Sequence, residues 1–437
     1  MLSSSSPGAA LPRNYKWTVV GMLWFICFFN YADRQMISSV FPKLKEEFGF
    51  NPVQLGLIGS AFAWVYAAAA PVAGFIADRV ARRHLILGGC VFWSGVTMLT
   101  GKCAALWQFV TVRALEGLGE TFYFPATMSL VGDYHDNRTR SRAFSFHQSS
   151  VYAGTIAGSW VGAWFAEYHG WRSGFYLFGG LGMVLALVLY RFLREPARGA
   201  TESTAGVASV SALPPLGIAA AAREIFRRPS ALLLMAAFLG ANFVATIFLT
   251  WTPTFLVEKF GFKLTAAGLS GSVFIHLASA VSVPLGGLLA DRLARRFPGG
   301  RMFVQATGLL VGAAFVGIVG LTSSTPTLLA AMACFGLCKG LYDSNIFAAL
   351  FDVIEPRARG TAVGIMNAVG WGGGALGPLA VGVATKYGRH AKEIDNMSEA
   401  IAFGAIVYVA AGALLLVAAL GFARRDVLRI SPTPPQS

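Results

Sequence analysis

The chain has 437 residues, of which 55% are hydrophobic and only 13% charged, too few polar side chains to clothe soluble domains of that total length. Lys and Arg outnumber Asp and Glu by 35 to 21, yet the basic residues lie in short loops between apolar runs, so the surplus calls for no nucleic acid. The five cysteines (Cys27, Cys90, Cys103, Cys334, Cys338) fall within or beside those runs, which argues against a disulfide framework or a metal cluster, and no cofactor is expected.

A helix of roughly 20 apolar residues crosses the hydrocarbon core with its backbone amides satisfied internally. The first sixteen residues are polar and Ser/Pro-rich and are expected to be disordered; no cleavable leader precedes Trp17, so the first span is retained. Spans then follow at about 17–40, 53–77, 85–103, 105–131, 141–166 and 172–193. Residues 194–229, rich in Ala, Ser, Gly, Pro and Arg, read as a linker with one short surface helix. Six more spans follow at 230–256, 264–290, 301–321, 325–350, 358–385 and 399–422, then a tail from 423 to 437 whose last dozen residues are expected to be unfolded. The expected fold class is an all-α membrane protein of twelve transmembrane helices in two bundles, 17–193 and 230–422.

Basic residues concentrate on the cytoplasmic side of membrane proteins. With both termini placed there, 23 Lys and Arg fall in the tails and even-numbered connections and 9 in the odd-numbered ones. Both ends are therefore expected to be cytoplasmic, in the plasma (inner) membrane of a bacterium.

An internal repeat relates the two halves. "GFIADRVARR" at 74–83 recurs as "GLLADRLARR" at 287–296, each between the second and third spans of its half. "RTRSRAFSF" (138–146) and "EPRARGTAV" (355–363) repeat more weakly before the fifth span of each half. Parallel halves of this kind place a binding site at their interface near the midplane. With these loops the sequence resembles the major facilitator superfamily over Trp17 to about Phe422. The resemblance implies a conformational role for Gly74, Asp78, Arg79 and Arg83, and for Gly287, Asp291 and Arg292: the loop carboxylate pairs with basic groups across the interface and holds the outward-open state. It also implies a monomer.

Charges inside a span are costly and mark ion or substrate pathways by default. The first span holds Asp33 and Arg34; the fourth holds Arg113, Glu116 and Glu120; the tenth holds Lys339 and Asp343. Positions 113, 116 and 120 form one helical stripe, whereas 339 and 343 form an i,i+4 pair that neutralises itself and reads first as structural. Neighbouring helical residues point about 100° apart, so Asp33 and Arg34 serve different partners, one of them across to the fourth-span stripe. Two arginines against three carboxylates leave spare negative charge only when all three are ionised, a property that suits proton coupling. The alternative is that these groups only clamp the first and fourth spans together.

"NYADR" (30–34), Arg113 with Glu120, and "FP" (124–125) resemble the anion:cation symporter branch, as do "FLTWTPTFL" (248–256) and "MNAVGWGGGALGP" (366–378). That resemblance implies proton exchange at Asp33 and Glu120, with Glu116 an added acid, and anion binding at Arg34 and Arg113. Tyr66, Gln148 and Asn367 are the polar side chains expected to join them. The second-span Tyr-x-x-x-Gln of many sugar-acid carriers is here Tyr66 followed by Ala70, and His147 and His276 are further departures. "NYADR" and "GLGE" equally resemble spinster-like carriers of lysolipids or lipophilic anions.

The expected function is therefore proton-coupled symport of a small organic anion by alternating access, with the lipid bilayer and protons as its other partners. A lysolipid carrier or a proton-driven exporter is the alternative. No connection is long enough for a nucleotide-binding domain, and the adjacent His135 and Asp136 have nothing convergent around them, so neither a pump nor an enzyme is expected.

Overall fold

The computed structural model describes residues 14–77, 79–136, 139–196, 218–355 and 358–430, and among these every regular element is helical. The first half comprises α1 (Tyr15–Ser39), α2 (Phe41–Phe48), α3 (Pro52–Ala77), α4 (Arg82–Thr100), α5 (Leu106–Thr121), α6 (Tyr123–Tyr134), α7 (Arg140–Tyr168) and α8 (Trp171–Phe192). A short helix, α9 (Ile218–Phe226), precedes the second half. That half runs through α10 (Pro229–Phe260), α11 (Leu264–Ala294), α12 (Gly300–Leu321), α13 (Thr325–Asp343), α14 (Ile346–Val353), α15 (Arg359–Tyr387), α16 (Glu393–Val417) and α17 (Ala423–Ile430).

Seven helices among the described residues are long and apolar enough to cross a membrane on composition alone. Of the others, α1 and α5 carry the buried cluster of Asp33, Arg113, Glu116 and Glu120, and α13 carries Lys339 and Asp343. Large apolar side chains such as Phe25, Trp107, Leu187 and Leu288 stand exposed on the outer surface, where a lipid environment would cover them.

Two expected spans are broken. The fourth is split between α5 and α6, because Pro125 offers no N–H and its ring opposes the carbonyl four residues back, at Thr121, the last residue of α5. The tenth is split after Asp343, where Asn345 turns its amide to Ser344 Oγ at 2.6 Å and to the Gly286 carbonyl at 3.3 Å. The tail also differs from expectation: α17 continues to Ile430, and Asp426 accepts the Ser230 N–H at 3.0 Å.

A further repeat emerges. "FGF" at 48–50 and at 260–262 ends α2 and α10 with the same left-handed glycine, Gly49 at φ 66° and Gly261 at φ 67°. A side chain there would be strained, and the two turns fold equivalent ends of the two halves.

The halves meet through α3 against α15 and α7 against α11. On the face away from the chain ends they touch closely. A Cβ on Gly56 would lie 2.6 Å from the Pro378 carbonyl oxygen, and one on Gly268 would lie 2.5 Å from that of Ser159. Lys45 of α2 bridges Glu258 at 3.0 Å and Glu393 at 3.2 Å in the other half, and Glu167 of α7 accepts the Thr265 N–H of α11 at 2.7 Å.

On the face that bears the chain ends, charges pair within each half. Arg82 is buried and reaches Asp133, Glu195, Ser129 and the Pro196 carbonyl. Arg301 bridges Asp291, at 2.9 Å, and Asp352.

A central chamber as the candidate functional site

Between the halves lies a chamber with about 1030 Å³ of space free of atoms, part of it open to solvent. Arg34, Phe62, Arg113 and Gln148 contribute to its wall from the first half; Asn242, His276, Lys339 and Trp371 contribute from the second. It continues past Tyr66, Phe124, Ile346 and Asn367 toward the face bearing the chain ends. The opposite face is shut by the close contacts above.

Arg34 is the centre of the wall. Its Nε and Nη2 both donate to Glu120 Oε2, at 3.1 and 2.6 Å. Four rings surround its guanidinium, with centroids at 4.6 Å for Tyr31, 4.4 Å for Phe62, 5.4 Å for Tyr66 and 5.2 Å for Trp371. Three of these rings belong to the first half and Trp371 to the second, so the cage closes only when both halves contribute. Aromatic faces attract a desolvated cation and hold its plane. Sequence reading placed Tyr66 near the site but missed this cage.

Asp33 lies one layer behind. It is wholly buried, with the Thr97 hydroxyl beside its carboxylate and Glu116, Glu120 and Arg113 as the charged groups acting on it. Glu120 is likewise buried, with Oε1 unpartnered. Arg113 pairs with Glu116 one turn along α5, approaches the Arg34 carbonyl at 3.5 Å and sits 5.1 Å from the Phe62 ring. The first and fourth spans thus share the five-membered ionic cluster that helical spacing suggests. Arg34, Arg113, Tyr66, Gln148 and Asn367 reach the chamber, whereas Asp33, Glu116 and Glu120 stand behind its wall.

His147 is buried with its Nε2 2.9 Å from the Tyr123 hydroxyl, while its Nδ1 has no hydrogen-bond partner. Lys339 and Asp343 do pair with each other, and both also line the chamber.

In the loop motifs, Asp78 lies outside the described residues. Gly74 and Gly287 have open space beside them. Arg79 and Arg292 are exposed, and Arg83 donates to the Tyr190 carbonyl within its own half. Asp291 pairs with Arg301 of its own half; the contact across the interface is expected of the outward-open state. Arg82 and Arg301 are the structural hubs there. Only their position beside the repeated motif hinted at that role.

The family model described as Major Facilitator Superfamily matches residues 23–378 and 277–436. The chain belongs to that superfamily. Members of known name include the sodium-dependent phosphate transport protein 1 of Arabidopsis thaliana chloroplasts, 29% identical over 389 residues, 85% of this chain and 74% of that protein. The D-galactonate transporter of Escherichia coli O6:H1 is 28% identical over 425 residues, covering 92% of this chain and 96% of the relative. A crystal structure of a bacterial homologue of the human lysosomal transporter spinster, inward-facing and unoccupied, superposes with a TM-score of 0.77 at 23% identity, covering 97% of this chain and 100% of that one. The superposition establishes the shared fold of this superfamily member, a multi-pass integral membrane protein whose relatives are transporters.

Proposed function

We propose that this protein is a secondary transporter that carries a small organic anion together with protons by alternating access. The observation that carries the reading is the Arg34–Glu120 pair, at 2.6 Å, with Arg34 on the chamber wall and the buried Asp33 carboxylate behind it. An arginine already neutralised by a carboxylate attracts an anion only when that carboxylate takes up a proton. Protonation of Glu120, relayed with Asp33 and Glu116, frees Arg34 for the anion, while Arg113 supports it and Tyr66, Gln148 and Asn367 supply polar contacts. Proton and anion then favour each other's bound state, which is thermodynamic coupling.

The closed far face and the chamber's extension toward the chain ends correspond, with both termini cytoplasmic, to a conformation open to the inside of a bacterial inner membrane. In the opposite conformation the basic face closes, and Asp78 with Arg79 and Arg83, and Asp291 with Arg292, hold that closure around Gly74 and Gly287. The working unit is a monomer, with protons as the coupling ion.

Uptake of labelled galactonate into proteoliposomes under an imposed pH gradient tests the reading. Glu120→Gln and Asp33→Asn should abolish gradient-driven accumulation and spare counterflow exchange. Unchanged accumulation in both variants would overturn the assignment. The cage of Tyr31, Phe62, Tyr66 and Trp371 favours a second reading, a lipophilic anion such as a lysolipid, and competition by lysophosphatidylglycerol against galactonate separates the two.

A further inference from the structure

Lys339 and Asp343 lie one turn apart on α13 and neutralise each other. Such a pair joins nothing between helices. It stabilises an isolated helix only slightly, while two charges held at membrane depth cost more than that. A purely structural pair would be expected in a seam between helices, covered on all sides. Here the side chains remain 20% and 24% exposed, and the surface they expose faces the chamber.

Directly beyond the pair α13 stops, and Asn345 is tied to the Gly286 carbonyl of α11, so the pair sits on an anchored helix end. His276 of α11 donates from Nδ1 to the Ser272 carbonyl at 2.8 Å, which leaves Nε2 as a hydrogen-bond acceptor beside Lys339. Tyr152 of α7 holds its ring 6.1 Å from that of His276 and lines the same chamber as Lys339 and Arg34.

The two halves thus present matching devices across one cavity. Each is a cation held by one carboxylate, Arg34 with Glu120 in the first half and Lys339 with Asp343 in the second. A ligand with one anionic group needs only one of them. We propose that Lys339 is a second anion-receiving group and that the chamber selects a short dianion, such as a dicarboxylate, with one acidic group at Arg34 and the other at Lys339. The inference rests on the organic-anion reading above and specifies the class of anion. Asp343 holds Lys339 in place when the chamber is empty and yields it to the second acidic group of the ligand. His276 accepts from a hydroxyl next to that group.

Isothermal titration calorimetry on the detergent-solubilised full chain, with two pairs of acids that differ in one carboxylate, tests this. The pairs are galactarate with galactonate and glutarate with valerate. Wild type should bind the diacid of at least one pair about tenfold or more tightly than its monoacid, the factor expected from one further charge-assisted contact. The neutral double variant Lys339→Gln/Asp343→Asn should lose that preference and keep its monoacid affinity, and Lys339→Arg should retain the preference. Equal binding of diacid and monoacid by wild type overturns the inference whether or not the double variant folds, as does an equal loss for both acids in the variant; the organic-anion reading survives either result. Failure of wild type to bind any of the four acids overturns both.

Discussion

Arg34 directs two of its nitrogens to a single oxygen, Oε2 of Glu120, and leaves Oε1 of that buried carboxylate without a partner. A side-by-side bidentate pair would satisfy both oxygens. The one-oxygen arrangement keeps a protonation site open on the acid while the guanidinium plane stays pressed among Tyr31, Phe62, Tyr66 and Trp371. Arg34→Lys retains the charge but has neither the plane nor the paired donors. Anion affinity should fall about tenfold or more, the effect of losing one charge-assisted contact, with little change in melting temperature. Titration calorimetry and a thermal melt on the same preparation check both, and an unaltered affinity would show that only the charge matters.

Arg82 predicts a different phenotype. It is buried on the face of the chain ends and holds Asp133, Glu195 and the Pro196 carbonyl together. Arg82→Gln removes the cation shared by Asp133 and Glu195, a loss of about 2 kcal/mol, the size of charge-assisted hydrogen bonds. The expected outcome is a lower melting temperature with anion affinity at the remaining folded protein unchanged, measured by circular dichroism and calorimetry. Selective loss of binding with intact stability would place Arg82 in the transport cycle.

The ionic cluster was readable because charge is rare in apolar helices: Asp33, Arg34, Arg113, Glu116 and Glu120 stood out, and helical spacing grouped them. Periodicity fixes angles between residues on one helix but not how that helix is rotated toward its neighbours. Hence a pairing of the first span with the fourth was visible, whereas its assignment to Arg34 and the retreat of Asp33 behind the wall were not. The same limit applies to Lys339 and Asp343, whose spacing predicts their mutual pair and says nothing of the cavity they face. The break after Thr121 was legible in Pro125, although only the geometry of a kinked helix makes it so. The break at Ser344 has no such marker; it depends on Asn345 finding the Gly286 carbonyl on another helix.

Close packing at Gly56 makes closure of the far face testable by steric means. A Cβ there would stand 2.6 Å from the Pro378 carbonyl oxygen, backbone that cannot step aside cheaply. Gly56→Val should therefore open that face and shift the population toward the alternative conformation. Spin labels on Lys43→Cys and Lys386→Cys, which lie on that face in opposite halves, should move apart in the variant, as read by electron double resonance. An unchanged distance distribution would mean that α3 and α15 accommodate the side chain within the closed state.

The same face should respond to pH through Glu167. Its carboxylate accepts the Thr265 N–H across the interface, at 2.7 Å, and that backbone hydrogen bond holds its pKa below the ordinary value. The bond exists only while the halves touch, so the lowered value belongs to the closed face and the ordinary one, about 4.3, to the open face. A group whose pKa is depressed in one state stabilises that state fully above the ordinary value, and the contribution vanishes as pH falls through the depressed one. Acidifying the medium on that face below about pH 4.3 should consequently lengthen the Lys43→Cys to Lys386→Cys spin-label distance. Glu167→Gln should lengthen it already at pH 7 and remove this part of the acid response. If the variant follows the same pH curve as wild type, another group controls the closure.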